Sequence, residues 1–237
     1  MKNIKRTSAI AYGRLSMIGR LGMICLCLFA ACKKQDHYYK EFIANGEIVY
    51  VGKADSVVTH PGNNRILLHW KINDPNMTQM KVYWNEGADS AVLQGDQVSH
   101  PDSMGLMIDH LEERLYRFEL VSLDGRGNRS IRVAAEGQVY GEQYQSTLLN
   151  RLLGQIVYQN QEVTINWQSA EQGMVRTELY YQDTEGKEKV VHVPKDVNSL
   201  TLSQVPPMAT MTYRTAFIPD SLAIDTFFTQ YETIQIK

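Results

Sequence analysis

The sequence Ile66-Leu67-Leu68-His69-Trp70-Lys71 places large apolar side chains at every second position, namely Ile66, Leu68 and Trp70. A period of two is typical of a strand that buries one face, because successive side chains of a strand point to opposite sides. Residues 163–167, Val-Thr-Ile-Asn-Trp, repeat the pattern, and both alternations end on a tryptophan, Trp70 and Trp167. The two segments therefore predict equivalent strands in two copies of one structural unit.

The same alternation continues along the chain and is interrupted by turn signals. Apolar or aromatic residues fall at every second position in residues 80–84 and 116–120, and Thr177, Leu179 and Tyr181 repeat this spacing. The segments between the runs are rich in Pro, Gly, Asn and Asp, which favour turns. They include Pro61-Gly62-Asn63-Asn64, Asn73-Asp74-Pro75-Asn76, Asn85-Glu86-Gly87, Asp124-Gly125-Arg126-Gly127-Asn128 and Asp183-Thr184-Glu185-Gly186. Because no long segment has a helical period, the sequence predicts an all-β chain of two tandem antiparallel β-sandwiches.

The type of sandwich is indicated by residues 111–130. Tyr116-x-Phe118-x-Leu120 is followed by the turn at 124–130, and this run resembles the F strand and F–G turn of fibronectin type III domains. Trp70 and Trp167 look like the B-strand tryptophan of that family. The resemblance implies immunoglobulin-like or fibronectin type III-like sandwiches, a class of non-catalytic spacers and binders.

Residues 21–32, Leu-Gly-Met-Ile-Cys-Leu-Cys-Leu-Phe-Ala-Ala-Cys, form an apolar segment after a basic start. The segment is too short to cross a bilayer as a helix, which requires about 20 residues. Phe29-Ala30-Ala31-Cys32 resembles the lipobox of bacterial lipoproteins. We therefore predict a lipoprotein signal peptide over residues 1–31 and lipidation of Cys32, with palmitate among the attached chains. Met17 stays open as an alternative start.

The predicted anchor determines the compartment and the order of the domains. Lipidated Cys32 implies a membrane-bound outer-membrane lipoprotein, and residues 33–36, Lys-Lys-Gln-Asp, leave the cell-surface and periplasmic faces undecided. The predicted parts are a tether over residues 32–44, a first sandwich over 45–141, a connector over 142–153 and a second sandwich over 154–237. Four leucines of the connector region are expected to be buried between the sandwiches, namely Leu148, Leu149, Leu152 and Leu153.

Composition and motifs exclude several other classes of function. A formal net charge of -2 argues against a nucleic-acid partner, which requires a basic face. The three cysteines lie at or before Cys32, so the mature chain has no disulfide framework. Six scattered histidines predict no metal site, and no cofactor motif is present.

Ser99-His100-Pro101-Asp102 cannot adopt the geometry of a hydrolytic triad because its members are adjacent. Residues 124–128 lack the closing glutamate of a calcium loop.

Two tyrosines are the candidate ligand-contacting residues. If Val82 and Trp84 face the core, Tyr83 points outward, and Tyr180 does so when Leu179 faces inward. An outward tyrosine can stack on a sugar ring, or it can cover neighbouring strand residues. Both roles stay open at this point.

A wider set of residues resembles an uncharacterised family of envelope lipoproteins from gut-dwelling Bacteroidota, classed as a domain of unknown function. The set includes Gly52-Lys53-Ala54-Asp55-Ser56, Tyr83-Trp84-Asn85, Gly127-Asn128-Arg129-Ser130, Tyr144-Gln145-Ser146 and Pro219-Asp220-Ser221-x-Ala223-Ile224-Asp225-Thr226-Phe227. The resemblance implies an envelope lipoprotein that is often encoded near glycan-uptake genes. It implies no activity and no catalytic residue.

Four Asp-Ser-aliphatic triplets resemble the acceptor sequence of O-glycosylation in Bacteroidota, with Ser56, Ser90, Ser103 and Ser221 as the acceptor serines. Asp-Ser is also a common turn pair. We predict that at least one of these serines carries a glycan.

The function predicted from the sequence is that of a non-catalytic outer-membrane lipoprotein, a binding or accessory module in glycan capture or uptake. The alternative is a structural spacer or an assembly partner for other envelope proteins. A glycan-active hydrolase ranks last, because no catalytic residue is predicted.

Overall fold

The computed structural model describes residues 50–94 and 103–236. The predicted signal peptide, the tether and Cys32 lie outside the described residues. The part of the chain from Tyr50 onward forms one compact unit. Within the described part, no helix is both long and apolar enough to cross a membrane.

Within residues 50–94 and 103–138, seven strands build the first sandwich. One sheet has the order β1-β2-β5 and the other has the order β4-β3-β6-β7, with all neighbours antiparallel. The strands are β1 (Asp55–Pro61), β2 (Ile66–Lys71), β3 (Met77–Trp84), β4 (Asp89–Gln94), β5 (Met104–Ile108), β6 (Leu115–Asp124) and β7 (Val133–Gln138). A short 3₁₀ turn over Asn85–Gly87 connects β3 to β4.

Eight strands build the second sandwich in the same arrangement. One sheet has the order β8-β9-β12, and the other has the order β11-β10-β13-β14, with β15 also paired to β13. The strands are β8 (Leu153–Gln159), β9 (Glu162–Trp167), β10 (Met174–Gln182), β11 (Glu188–Pro194), β12 (Ser199–Leu202), β13 (Thr210–Phe217), β14 (Phe227–Phe228) and β15 (Glu232–Gln235). The prediction of two tandem antiparallel sandwiches is confirmed.

Each sandwich has its own hydrophobic core, formed by the positions that alternate along its strands. Trp70 and Phe118 are fully buried in the first core. Trp167 and Leu179 occupy the second core, where the Trp167 ring meets Tyr213 edge-on at 5.3 Å between centroids. Burial of such large apolar and aromatic side chains supplies most of the favourable free energy of folding.

Aspartates close the turns that the sequence marked. The Asp124 carboxylate accepts hydrogen bonds from the backbone N–H groups of Arg126 and Asn128, both at 2.9 Å. Gly127 has a φ of +86°, which a residue with a side chain rarely adopts. The segment is therefore a self-capped hairpin turn. Asp183 closes the β10–β11 turn in the same way, by accepting from the N–H groups of Glu185 and Lys187.

One helix lies at the junction of the two sandwiches. Helix α1 (Glu142–Thr147) follows the first sandwich, and the Glu113 carboxylate accepts hydrogen bonds from the N–H groups of Gln143 and Tyr144, both at 2.7 Å. The Tyr144 ring packs edge-on against Phe227 of β14, 5.1 Å between centroids. A carboxylate from the first sandwich thus caps a helix that packs on the second.

An ion pair connects the two sandwiches directly. Asp225 Oδ2 accepts from Arg65 Nε and from the backbone N–H of Asn63, both at 2.8 Å, and the second guanidinium nitrogen of Arg65 reaches Asp225 Oδ1. A Cβ atom at Gly62 would lie 2.6 Å from Asp225 Oδ2, so the close approach requires glycine there. The hydrogen bond with Arg65 lowers the pKa of Asp225, although its burial opposes this.

The expectation that the connector leucines are buried between the sandwiches is wrong for two of them. Leu149 is 71% exposed and Leu152 is 65% exposed. Leu153 is half-buried against the second core. The space between the sandwiches is filled instead by the Tyr144 and Phe227 rings and by polar contacts, so the leucines are not required there.

Candidate functional site

On the outer face of the sheet β4-β3-β6-β7, Tyr83 lies between residues of the two neighbouring strands, β4 and β6. The pairing register places Ser90, Tyr83, Glu119 and Ala134 in one row across the four strands. Ser90 and Ala134 are small and exposed. Because the two flanking side chains are short, the larger side chains around Tyr83 form the walls of a groove.

The groove has a volume of about 320 Å³ and mixes aromatic with charged side chains. Its lining residues are Tyr83, Trp84, Glu86, Gly87, Arg117, Glu119 and Arg132. Tyr83 and Trp84 are both half-buried, and Trp84 also packs against the first core. The side chains of Arg117 and Arg132 are 65% and 64% exposed, whereas that of Glu119 is 31% exposed.

The cations of the groove are arranged around one carboxylate and one ring. Arg132 contacts Glu119 through Nη1, while Arg117 Nε lies 3.9 Å from the same carboxylate, beyond hydrogen-bond distance. Lys81 Nζ lies 4.8 Å and Arg132 Cζ 5.5 Å from the Tyr83 ring centroid. These are cation–π distances, and they position flexible charged side chains beside the Tyr83 ring.

Tyr180 occupies the equivalent strand position of the second sandwich, but its surroundings differ. Its hydroxyl donates a 2.8 Å hydrogen bond to Glu178 Oε2, and its ring meets Tyr231 edge-on at 5.5 Å. The Glu178 carboxylate is buried and also accepts from Arg176 and Arg214. The polar and apolar parts of Tyr180 are therefore both engaged in packing the sheet.

Electrostatics explains why a carboxylate can be buried on this outer face. Burial alone would raise the pKa of Glu178, but hydrogen bonds from Arg176, Tyr180 and Arg214 outweigh it and lower that pKa to about 2. Burial and the bond to Glu178 raise the pKa of Tyr180 to about 12. Arg214 also lies over the Phe228 ring at 3.9 Å, so the charged cluster is covered by aromatic side chains. This cluster stabilises the sheet and engages both the hydroxyl and the ring of Tyr180.

A larger hollow of about 560 Å³ lies at the junction of the two sandwiches. Several of its amide side chains already hold the junction together. Gln145 Nε2 donates to the carbonyl of Phe228, and Asn150 Nδ2 donates to the carbonyl of Gln230, at 2.9 and 2.7 Å. Two of the amides that line this hollow are thus already hydrogen-bonded to the second sandwich.

Comparison with models of known protein families shows the family to which the chain belongs. Its sequence matches DUF4998, described as a domain of unknown function, over residues 32–227. The chain belongs to the DUF4998 family. No curated protein matches its sequence.

Two solved structures with fibronectin type III domains are similar to this DUF4998 chain. The two-domain fibronectin type III segment of chicken tenascin is 13% identical and covers 78% of this chain and 99% of its own length, with a TM-score of 0.31. The FN1-FN3 domains of chicken CNTN1 are 12% identical and cover 79% of this chain and 66% of their own length, with a TM-score of 0.43. The family description and the sandwich fold are consistent with a non-catalytic module.

The four predicted acceptor serines of the DUF4998 chain are all exposed, namely Ser56, Ser90, Ser103 and Ser221. Ser103 Oγ forms a hydrogen bond with His69 Nε2. Ser90 lies beside Tyr83 across the β3–β4 pair. Their exposure makes them accessible to modification, and their glycosylation stays a prediction.

Sequence reasoning missed the charged half of the groove. Arg117 and Glu119 alternate with Tyr116 and Phe118, and that alternation alone assigns them to the outer face. Arg132 could not be placed in this way, because it lies between β6 and β7 and reaches Glu119 only through the fold. Within residues 50–94 and 103–236, no three His, Cys, Asp or Glu side chains are grouped in a way that could hold a metal ion.

Proposed function

We propose that this protein is a lipid-anchored, non-catalytic binding module of the bacterial outer membrane, and that the Tyr83 groove binds a saccharide. The observation that carries the proposal is the contrast between the two outward tyrosines. Tyr83 lines an open groove with exposed Arg117 and Arg132, whereas Tyr180 is hydrogen-bonded to a buried carboxylate. Tyr83 combines a place in the groove lining with a neighbouring guanidinium, that of Arg117, which lies beyond hydrogen-bond distance of Glu119.

The chemistry of the groove suits a sugar ring. The apolar face of a saccharide packs against aromatic side chains, and its hydroxyls require nearby donors and acceptors. Tyr83 and Trp84 supply aromatic surface, while Arg117 and Glu119 supply a donor and an acceptor at the same edge. The predicted attachment at Cys32 would hold the groove at the membrane, where an accessory protein of glycan uptake would meet its ligand.

An oligosaccharide array tests the proposal. Labelled mature protein, purified from membranes in detergent, should bind a defined subset of host or dietary glycans. Tyr83→Ala should reduce the affinity about tenfold or more, which corresponds to ~1.4 kcal/mol. Tyr180→Phe, the matched control, keeps the ring and should bind as the unchanged protein does. Equal binding by the unchanged protein and Tyr83→Ala would show that the saccharide does not bind in the Tyr83 groove.

A second candidate function is that of a rigid spacer, and the junction is the observation that favours it. Asp225 bonds to Arg65 and Asn63, and Glu113 caps helix α1, so the two sandwiches are joined by contacts on several sides. A spacer would bind no saccharide and would tolerate Tyr83→Ala without loss. Its envelope partners would be released when the junction is loosened, for example by Asp225→Asn.

A further inference from the structure

We propose that the Tyr83 groove selects uncharged saccharides with free adjacent hydroxyls, and that Arg117 and Glu119 are the residues that read those hydroxyls. This inference rests on the proposed function, because it names the ligand class of the same groove. It is carried by the balance of charges around Tyr83 and by the exposure of Arg117.

The charges that line the groove cancel. Two guanidiniums, Arg117 and Arg132, face two carboxylates, Glu86 and Glu119. The next side chains outward are balanced as well, since Lys81 lies over Tyr83 and Glu136 is paired with Arg117 across the β6–β7 ladder. A groove without net charge exerts no long-range attraction on an anion, so a carboxylated or sulfated sugar gains nothing from approaching it.

Glu119 also works against an anionic ligand at short range. It lies in the same row as Tyr83, directly opposite it across the β3–β6 pair. A sugar ring that packs on Tyr83 is therefore next to the Glu119 carboxylate. Like charges at such a distance repel, whereas a hydroxyl donates a hydrogen bond to the carboxylate.

Arg117 supplies the complementary donors. The Arg117 side chain is 65% exposed, and its Nε atom lies 3.9 Å from Glu119, so it forms no hydrogen bond with that carboxylate. A guanidinium presents parallel donors that match two neighbouring acceptors, such as the oxygens of adjacent hydroxyls. Arg132, which is paired to Glu119, keeps that carboxylate in position beside Arg117.

The experiment is a set of binding titrations with the mature full-length protein and the best array ligand. An uncharged oligosaccharide should bind with an affinity that changes less than about twofold between low and high salt, because no ion pair is formed. Arg117→Ala should weaken the binding about tenfold for the intact sugar and leave that of its deoxy analogue, which lacks one of the adjacent hydroxyls, nearly unchanged. If the effects of Arg117→Ala and of the missing hydroxyl on the affinity are not additive in this way, Arg117 contacts that hydroxyl.

A charge change in the groove provides the complementary test. Glu119→Gln removes one carboxylate with little change of shape, so the groove becomes cationic. It should weaken the uncharged ligand and should gain salt-sensitive binding of the matching uronic acid oligosaccharide. Glu188→Gln, the same change on the exposed β11, should do neither.

The outcomes separate this inference from the proposed function. If uncharged and acidic saccharides both fail to bind, the proposed function is wrong. If the unchanged protein prefers acidic saccharides and loses them as salt rises, the groove does bind sugars and the inference alone is overturned. Equal losses on Arg117→Ala for the intact and the deoxy sugar would also overturn it, because Arg117 would then not contact that hydroxyl.

Discussion

The two sandwiches differ most clearly at one residue. The position two before the outward tyrosine is Lys81 in the first sandwich and Glu178 in the second. Lys81 lies over the Tyr83 ring beside an open groove. Glu178 is buried and collects hydrogen bonds from Arg176, Tyr180 and Arg214. The residue type at this position thus accompanies the difference between a tyrosine that lines a groove and one whose hydroxyl is bonded to a buried carboxylate.

The Glu178 network predicts a pH dependence of stability. Its pKa falls from 4.5 to about 2 on folding, so the carboxylate contributes stability above about pH 4.5 that is lost as the pH falls toward 2. Glu178→Gln should destabilise the protein at pH 7 by about 2 kcal/mol or more, because two guanidiniums lose their charge partner. Urea unfolding at pH 7 and pH 3 measures the difference, which should shrink at pH 3. An equal difference at both values would contradict this account.

Arg151 is a buried cation that the sequence did not reveal. It is 2% exposed, and its guanidinium donates to the carbonyls of Gln168, Val197 and Lys195 and to the Asn198 side chain. The bonds join three loops at one end of the second sandwich. Burial lowers the pKa of Arg151, and the carbonyl oxygens offset the cost of burying its charge.

Replacement of Arg151 by Lys should destabilise the second sandwich although the charge is kept. An ammonium has three donors on one atom and cannot reach separate loops as a planar guanidinium does. We expect a loss of about 2–3 kcal/mol in the free energy of unfolding, measured by urea denaturation. Arg126→Lys, in the exposed hairpin turn, is the control and should cost little. No loss for Arg151→Lys would mean that the forked geometry is unimportant.

At the scale of elements, helix α1 owes its first turn to a residue outside it. Gly141 before the helix supplies no side-chain cap, and the Glu113 carboxylate takes that role. Glu113→Ala should therefore cost about 1 kcal/mol and should speed hydrogen exchange at the amides of Gln143 and Tyr144. Glu112→Ala, whose side chain is 86% exposed, should leave those amides protected. Unchanged hydrogen exchange at these two amides in Glu113→Ala would show that Glu113 does not cap the helix.

Most strands could be predicted, because their signal is local. The period of two in residues 66–71 and 163–167 describes β2 and β9, and turn-forming residues mark their ends. The same period assigned Tyr83 and Tyr180 to an outer face. It could not tell that Glu178, two residues before Tyr180, is buried, since its further partner Arg214 comes from a different strand.

The exposed connector leucines show the same limit. Leu149 and Leu152 are apolar and lie between two domains, which is a common reason for burial. The structure fills that space with Tyr144 and Phe227 instead, and the rings meet only because β14 lies beside helix α1. A contact between residues far apart in sequence leaves no local sequence pattern. The contact between Tyr144 and Phe227 could therefore not be predicted from the sequence.

At the scale of the whole molecule, the junction couples two sandwiches with separate cores. Arg65 and Asp225 are 160 residues apart and bring the β1–β2 turn of one sandwich against a loop of the other. Asp225 also bonds to the N–H of Asn63, so its removal frees both a guanidinium and a backbone donor. The ion pair therefore predicts that the sandwiches unfold cooperatively.

Asp225→Asn should loosen that coupling. We expect a loss of about 2 kcal/mol and a broader thermal transition that separates toward two, measured by scanning calorimetry. Asp196→Asn, at an exposed position in the second sandwich, should leave the single transition unchanged. A single sharp transition in Asp225→Asn would show that other contacts suffice to couple the sandwiches.

The predicted anchor gives a test at the same scale. Cys32→Ser removes the thiol that lipidation requires, so the protein should move from the membrane fraction to the soluble fraction and lose labelling by a palmitate analogue. Cys27→Ser, within the predicted signal peptide, should remain in the membrane. Membrane retention of unlabelled Cys32→Ser would contradict a lipid anchor at that residue.

A saccharide bound in the Tyr83 groove should slow hydrogen exchange in the strands around it. Hydrogen–deuterium exchange of the full-length protein, with and without the best array ligand, maps the contact without relying on a variant. Ligand-dependent protection should be concentrated in residues 81–90 and 115–134. Protection centred on Tyr180 and Tyr231, or on the junction hollow, would contradict it.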